Sequence, residues 1–218
     1  MLSRRRLLSG LAAGLALPAL GRAASAPPPV VTLLGDSITA GLGLRAAEAL
    51  PAQLQTALQA LGAPARVRGS GVSGDTSAGG LSRVDFSVQP DTAVCVVELG
   101  ANDLLDGIDP AETRANLVKL VRRLKARGIP VVLAGGRAPG STLGAYGRAF
   151  DQVYPAVARA EHVPLAPDLL AGVIDHPALK QADGLHPNAA GVKIIARRLA
   201  PVVAAALAAR TQARSARL

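Results

Sequence analysis

The chain has 218 residues and a formal net charge of +9; half its residues are apolar and only Phe86, Phe150, Tyr146 and Tyr154 are aromatic. That length fits one domain with a substantial core of Leu, Val, Ile and Ala, and the shortage of aromatic platforms argues against single-stranded nucleic-acid binding. The charge does not restore that possibility: without Arg4, Arg5, Arg6, Arg22, Arg210, Arg214 and Arg217 at the two ends, 17 basic residues face 15 acidic ones, so no nucleic-acid partner is expected.

In chain order, residues 1–26 (MLSRRRLLSGLAAGLALPALGRAASA) join a basic start, an apolar stretch from Leu7 to Leu20 and a small-residue end at Ala24-Ser25-Ala26. This is the pattern of a cleavable export signal, and the apolar part is shorter than the roughly 20 residues of a bilayer span. Ser3-Arg4-Arg5-Arg6-Leu7-Leu8 resembles a twin-arginine signal, with Leu7 where that signal favours phenylalanine; Sec export and an uncleaved anchor are the alternatives. A bacterial protein exported to the periplasm or beyond is expected, with no stable membrane span in its mature form and a monomeric state favoured.

Beyond the Pro27-Pro28-Pro29 hinge, Val30–Leu34, Ala65–Arg68, Ala93–Glu98, Pro130–Ala134 and Val163–Leu165 read as short strands bounded by Gly, Pro, Asp or Ser. Helical periodicity runs through Ala46–Leu61, Pro110–Ala126, Gly144–Ala160 and Asn188–Ala208. In the second helix Leu117, Leu120, Val121 and Leu124 recur at spacings of three and four, after an Asp109-Pro110 start and before a Gly128 stop. The single cysteine, Cys95, lies within the apolar run TAVCVVEL and reads as a small buried hydrophobe. Continuous apolar strands each followed by a helix predict an α/β fold: three α/β/α layers around a flavodoxin-like parallel sheet of about five strands. Residues 27–209 would form this domain, and 210–218 a basic disordered tail.

In such sheets the ligand crevice lies beyond the carboxyl ends of the strands. Ser37 follows the first strand in VVTLLGDSITAGLGL, Gly74-Asp75 the second, Asn102-Asp103 the third, and Asp183 and His186 precede the last helix in DGLHPN. Gly35-Asp36-Ser37 alone fits a helix cap as well as a nucleophile, and it is not a Gly-x-Ser-x-Gly elbow, because position 39 is Thr. Asp183 and His186, three apart with Gly184 freeing the turn, can supply what a serine hydroxyl lacks: a base to take its proton and an acceptor to fix that base's tautomer. Of the other histidines, His162 reads as a surface or helix-end group, and His176 lacks the downstream glycine and helix that place His186. The backbone N–H of Gly74 and the side-chain amide of Asn102 are candidate donors to a tetrahedral oxyanion, although each also fits an ordinary turn or cap.

The segments GDSITAGLG, GVSGDTSAGGLSR, VELGANDLL and DGLHPN resemble the four blocks of the SGNH hydrolases, the GDSL esterase/lipase family, with the bacterial arylesterase and acyl-thioesterase–lysophospholipase branch nearest in pattern. The resemblance runs from about Val30 to Leu207. It implies Ser37 as nucleophile and first oxyanion donor, Gly74 and Asn102 as further donors, His186 as base and then acid, and Asp183 as its orienting partner. The glycine and small residues around Ser37 would leave room for a carbonyl. Asp36 would be a structural hydrogen-bonding partner, and Asp36, Asp75, Ala138, Pro139 and Leu143 would line the substrate site. One departure is Gly100-Ala101-Asn102-Asp103 where the branch often has two glycines before Asn-Asp. Another is a glycine-rich loop at residues 135–146, which puts the acyl-chain preference in question.

The activity implied is hydrolysis of aryl or short-to-medium acyl esters, thioesters or lysophospholipids through an acyl-enzyme. A carbohydrate O-deacetylase would use the same groups but calls for substrate-binding aromatics, which are scarce. A non-catalytic ligand-binding protein leaves the joint occurrence of serine, amide, imidazole and carboxylate unexplained. No cofactor is expected, and no metal, because Asp36 and Asp75 come without Cys or His at ligand spacing.

Overall fold

In the computed structural model, which describes residues 27–138 and 143–216, five parallel strands form one sheet. The strands are β1 (Val30–Gly35), β2 (Arg66–Gly71), β3 (Thr92–Glu98), β4 (Val131–Ala134) and β5 (Leu165–Ala166), in the order β2-β1-β3-β4-β5. The helices are α1 (Ser37–Ala40), α2 (Leu50–Ala60), α3 (Ser77–Ser87), α4 (Ala101–Leu105), α5 (Pro110–Ala126), α6 (Gly144–Phe150), α7 (Val153–Glu161) and α8 (Ala189–Ser215).

The period-two alternation of a strand divides the apolar runs between two cores. Val31 and Leu33 of β1, Val94 and Val96 of β3, and Val132 of β4 pack with Leu54 of α2 and Leu199 of α8. The intervening Leu34, Cys95, Val97 and Leu133 pack with Val84 of α3, Leu117 and Leu124 of α5, and Val157 of α7. The sheet is therefore covered on both faces, and the expected three layers are present. Each fully buried Leu or Val contributes about 1.5–3 kcal/mol of transfer free energy, which is why a core so poor in rings suffices. Among the described residues, no helix is long and apolar enough to cross a membrane.

Burial also settles the state of Cys95. Loss of solvent pushes its thiol up to about 12, so the nucleophilic thiolate is absent at neutral pH. Ellman's reagent should leave Cys95 untouched in the native protein and modify it promptly in denaturant; fast labelling of the folded chain would contradict its placement in the core.

Several expected boundaries move for identifiable reasons. The helix expected over Gly144–Ala160 is two helices, broken at Asp151-Gln152. Pro155 has no N–H to return to the carbonyl of Asp151, so it is tolerated only in the first turn of a new helix. Pro51 likewise marks the start of α2 four residues later than expected. Strand β2 extends through Gly69 and Gly71 because they let α1 and α2 approach: a Cβ on Gly71 would overlap the Ala40 nitrogen, and one on Gly69 would meet Pro51. Helix α3, with Gly79 and Gly80 inside it, carries no strong periodicity; Thr76 caps it by accepting from the Gly79 N–H at 3.2 Å, and Gly80 makes room for Leu99.

The basic end departs from expectation too. Helix α8 continues to Ser215, so the described part of the 210–218 segment is helical rather than disordered. Ala, Leu, Gln and Arg all favour helix there, and Ala206 and Leu207 anchor the stretch to the core. The expected leader, residues 1–26, lies outside the described residues.

Candidate active site

The sheet order reverses between β1 and β3, and the crevice beyond their carboxyl ends is where open α/β sheets bind ligands. Ser37 opens α1 directly after β1, so its own N–H has no partner within the helix. Asp36 caps that single turn, its Oδ1 accepting from the Ile38 N–H at 3.0 Å, and Gly41 closes it in the left-handed conformation, φ 75°. The glycine before Asp36 has a different use from the one expected. A Cβ on Gly35 would overlap Glu98 Oε2 and Thr39 Oγ1, so it admits a buried carboxyl behind the serine rather than a carbonyl in front of it.

His186 reaches Ser37 from a loop before α8. Its Nε2 lies 2.9 Å from Ser37 Oγ and its Nδ1 2.6 Å from Asp183 Oδ2. With a carboxylate at Nδ1, the proton belongs on that nitrogen, and Nε2 is left to accept from the serine hydroxyl. Asp183 also folds the loop: its Oδ1 accepts from the N–H groups of Leu185 at 2.9 Å and His186 at 3.0 Å. The Leu185 N–H, the imidazole and the His186 N–H hold the Asp183 carboxyl down at about 2. Gly184 supplies φ 70° between the partners, a conformation other residues rarely adopt.

Two amides fix the loop in place. Asn188 caps α8, accepting from Ala190 N–H at 3.0 Å and Gly191 N–H at 3.1 Å, and donates back to the Ala178 carbonyl at 2.8 Å. Gln181 donates to the Leu42 carbonyl at 2.8 Å and to the Pro187 carbonyl at 3.0 Å, tying the histidine loop to the segment after α1.

The candidate oxyanion donors come from β2 and β3. Gly74 has φ 81°, and a Cβ there would meet nothing within 4 Å, so its backbone conformation demands glycine rather than local crowding. Asn102 lies in α4, its Nδ2 donating to the Asp75 carbonyl at 2.8 Å and approaching Asp36 Oδ2 at 3.4 Å. One N–H is thus used to orient the amide, while the other has only a long contact that a better acceptor could replace. Asn102→Ala should lower kcat for an ester about 100- to 1,000-fold with a smaller change in KM; stopped-assay kinetics on p-nitrophenyl butyrate check this.

Asp36 and Asp75 do not line an open substrate surface, contrary to expectation. Asp36 is 1% exposed, turned inward to Ile38 and Glu98. Asp75 is engaged by Arg83, whose Nε donates to it at 2.7 Å while its guanidinium also holds the Ser70 and Gly35 carbonyls, each at 2.9 Å. Ala138 and Leu143 flank Gly147 of α6, with the Ala138 N–H donating to Asp151 at 2.8 Å. Pro139 lies outside the described residues. Sequence reasoning missed Arg83, which clamps the ends of β1 and β2, and Gln181: Arg83 closes the GVSGDTSAGGLSR block and Gln181 precedes DGLHPN, but the Gly35 and Leu42 carbonyls they hold are distant in the chain.

Comparison with known proteins identifies the family. Residues 33–194 match the model of the GDSL-like Lipase/Acylhydrolase family. The chain is 40% identical over 185 residues to Esterase TesA of Pseudomonas aeruginosa, covering 84% of this chain and 90% of that one. It is 35% identical over 187 residues to thioesterase 1/protease 1/lysophospholipase L1 of Escherichia coli K12, covering 84% and 88%. The crystal structure of AlinE4, an SGNH-hydrolase family esterase, is 45% identical with a TM-score of 0.69 and covers 84% of this chain and 98% of its own.

Proposed function

The chain belongs to the GDSL-like lipase/acylhydrolase family, and from that premise we propose a serine ester hydrolase in which Ser37, His186 and Asp183 carry an acyl-enzyme reaction. The carrying observation is the continuous hydrogen-bonded line from Ser37 Oγ to His186, 2.9 Å, and from His186 to Asp183, 2.6 Å. Ser37 Oγ attacks the acyl carbon as its proton passes to His186 Nε2, and the imidazolium formed is stabilised by Asp183. The oxyanion takes hydrogen bonds from the N–H groups of Ser37 and Gly74 and from the Asn102 N–H that otherwise makes only the long contact to Asp36. The tetrahedral intermediate collapses by expelling the alcohol or thiol, which receives the proton from His186. Water then attacks the acyl-serine, giving its proton to His186, and collapse returns that proton to Ser37 and releases the acid.

Exposed aliphatic side chains near the site's segments support the substrate class. Leu42, Val72, Leu105, Leu143 and Leu185 are 38–59% exposed in segments that follow the strands or flank His186. An aliphatic surface suits an acyl chain better than a sugar, so aryl and alkyl esters, with thioesters and lysophospholipids as further leaving groups, are the proposed substrates. Residues 1–26 are proposed to be an export signal removed after Ala26.

A fluorophosphonate probe tests the assignment: the processed protein should be labelled covalently at Ser37, and peptide mapping that finds no adduct there would reject it. An acyl-chain series across oxygen-ester, thioester and lysophospholipid head groups then ranks the substrates.

A further inference from the structure

Behind Ser37 lies a second carboxyl group that the reaction sequence leaves unused. Glu98 ends the otherwise apolar β3 and is only 4% exposed. Its Oε2 accepts from the Asp36 N–H at 3.2 Å and from the Thr39 hydroxyl at 2.7 Å. Both donors are neutral, so neither offsets the cost of burying a charge as a cation would, and it is burial that favours keeping a proton.

Burial, followed by the charge of Asp36, pushes the Glu98 carboxyl well above the usual carboxylate range. Burial raises Asp36 as well. The other ionisable groups around the pair are His186 and Asp75, which face Asp36, and the Tyr154 hydroxyl of α7, which donates to the Leu99 carbonyl at 3.0 Å.

We propose that Glu98 is a positioning residue: as a neutral acid it accepts from the Asp36 N–H and the Thr39 hydroxyl at once, and so holds the single helical turn that presents Ser37. Asp36 transmits the effect in three directions. It caps that turn through Ile38, its carbonyl accepts from the Ala40 N–H at 2.9 Å, and its Oδ2 faces the Asn102 amide. The strict demand for glycine at position 35, where any Cβ would overlap Glu98 Oε2, has the same origin. The inference rests on Ser37 being the nucleophile.

Glutamine has the shape of a protonated glutamic acid and keeps both a donor and an acceptor, whereas leucine keeps neither. On p-nitrophenyl butyrate, Glu98→Gln should retain kcat within about 3-fold of the parent, and Glu98→Leu should lose about 10- to 100-fold in kcat with KM within about 2-fold. The infrared spectrum at neutral pH should show the C=O stretch of a protonated carboxylic acid that Glu98→Gln lacks. A glutamine variant as slow as the leucine variant, a leucine variant as fast as the parent, or no such band would each overturn the proposal. Should Glu98→Leu fail to fold, the glutamine variant and the infrared band decide. Ser37→Ala in the same assay separates the two layers: if it is inert while Glu98→Leu is unimpaired, only the positioning role fails, and if it turns over, the nucleophile assignment fails with it.

Discussion

Ser37→Ala is expected to lower kcat on p-nitrophenyl butyrate by about 10⁵- to 10⁶-fold and to leave the thermal unfolding midpoint almost unchanged. The hydroxyl is the atom that forms the acyl bond, and no neighbour can replace it: Thr39 Oγ1 is committed to Glu98, and the Ser77 hydroxyl is buried against Asp103. The fold should survive because the surrounding restraints belong to the backbone and to Asp36. The Ser37 carbonyl still accepts from the Leu42 N–H at 3.0 Å, and Asp36 still caps Ile38. Only the hydrogen bond to His186 is lost, a change of about 1 kcal/mol or less. Steady-state kinetics with a melting curve on the same sample check both halves. Turnover near that of the parent would remove Ser37 from the mechanism.

Removing the base should be nearly as damaging. His186→Ala leaves the serine proton with no acceptor, and kcat should fall by about 10⁵- to 10⁶-fold, whereas Asp183→Asn should cost about 10³- to 10⁴-fold. The difference follows from tautomer chemistry. Asparagine at 183 can still accept from the N–H groups of Leu185 and His186 through one oxygen, so the loop keeps its turn. Its NH₂ group, however, would face His186 Nδ1 and favour the tautomer with the proton on Nε2, which cannot take one from Ser37. Kinetics of the two variants over a range of pH distinguish loss of the base from loss of its orientation; equal losses would mean that Asp183 does more than orient.

The low position of Asp183 gives a pH consequence with a definite sign. Folding lowers this carboxyl from 3.8 to about 2, so its hydrogen bonds favour the folded loop above pH 3.8 and that contribution fades as pH falls towards about 2. Asp183 therefore stays ionised over any practical assay range.

The layering was legible before the structure because it depends on local pattern. Apolar runs such as Val30–Leu34 have to be buried on two faces, and Leu117, Leu120, Val121 and Leu124 share one stripe of α5, all fully buried as their spacing requires. The candidate nucleophile, imidazole and amide were legible for the same reason: each follows a strand or precedes a helix within a short motif. Less was visible where one segment answers to another far away. The Gly144–Ala160 stretch has helical periodicity throughout, yet Pro155 splits it; the basic end extends α8 because Ala206 and Leu207 find a core that no local window contains.

The chemistry divides along the same line. Residue types and spacings marked Ser37, Asn102, Asp183 and His186 as candidates, and the family resemblance supplied their expected roles, since the functional groups concerned are already displayed in the one-dimensional order. The supports were not on display. Gly35 yields its side chain to Glu98, Arg83 ties together the carbonyls of Ser70 and Gly35, and Gln181 joins Pro187 to Leu42. These contacts span up to 139 positions in the chain, and a hydrogen bond at 2.8 Å depends on where folding brings two atoms, a quantity that sequence neighbours do not encode.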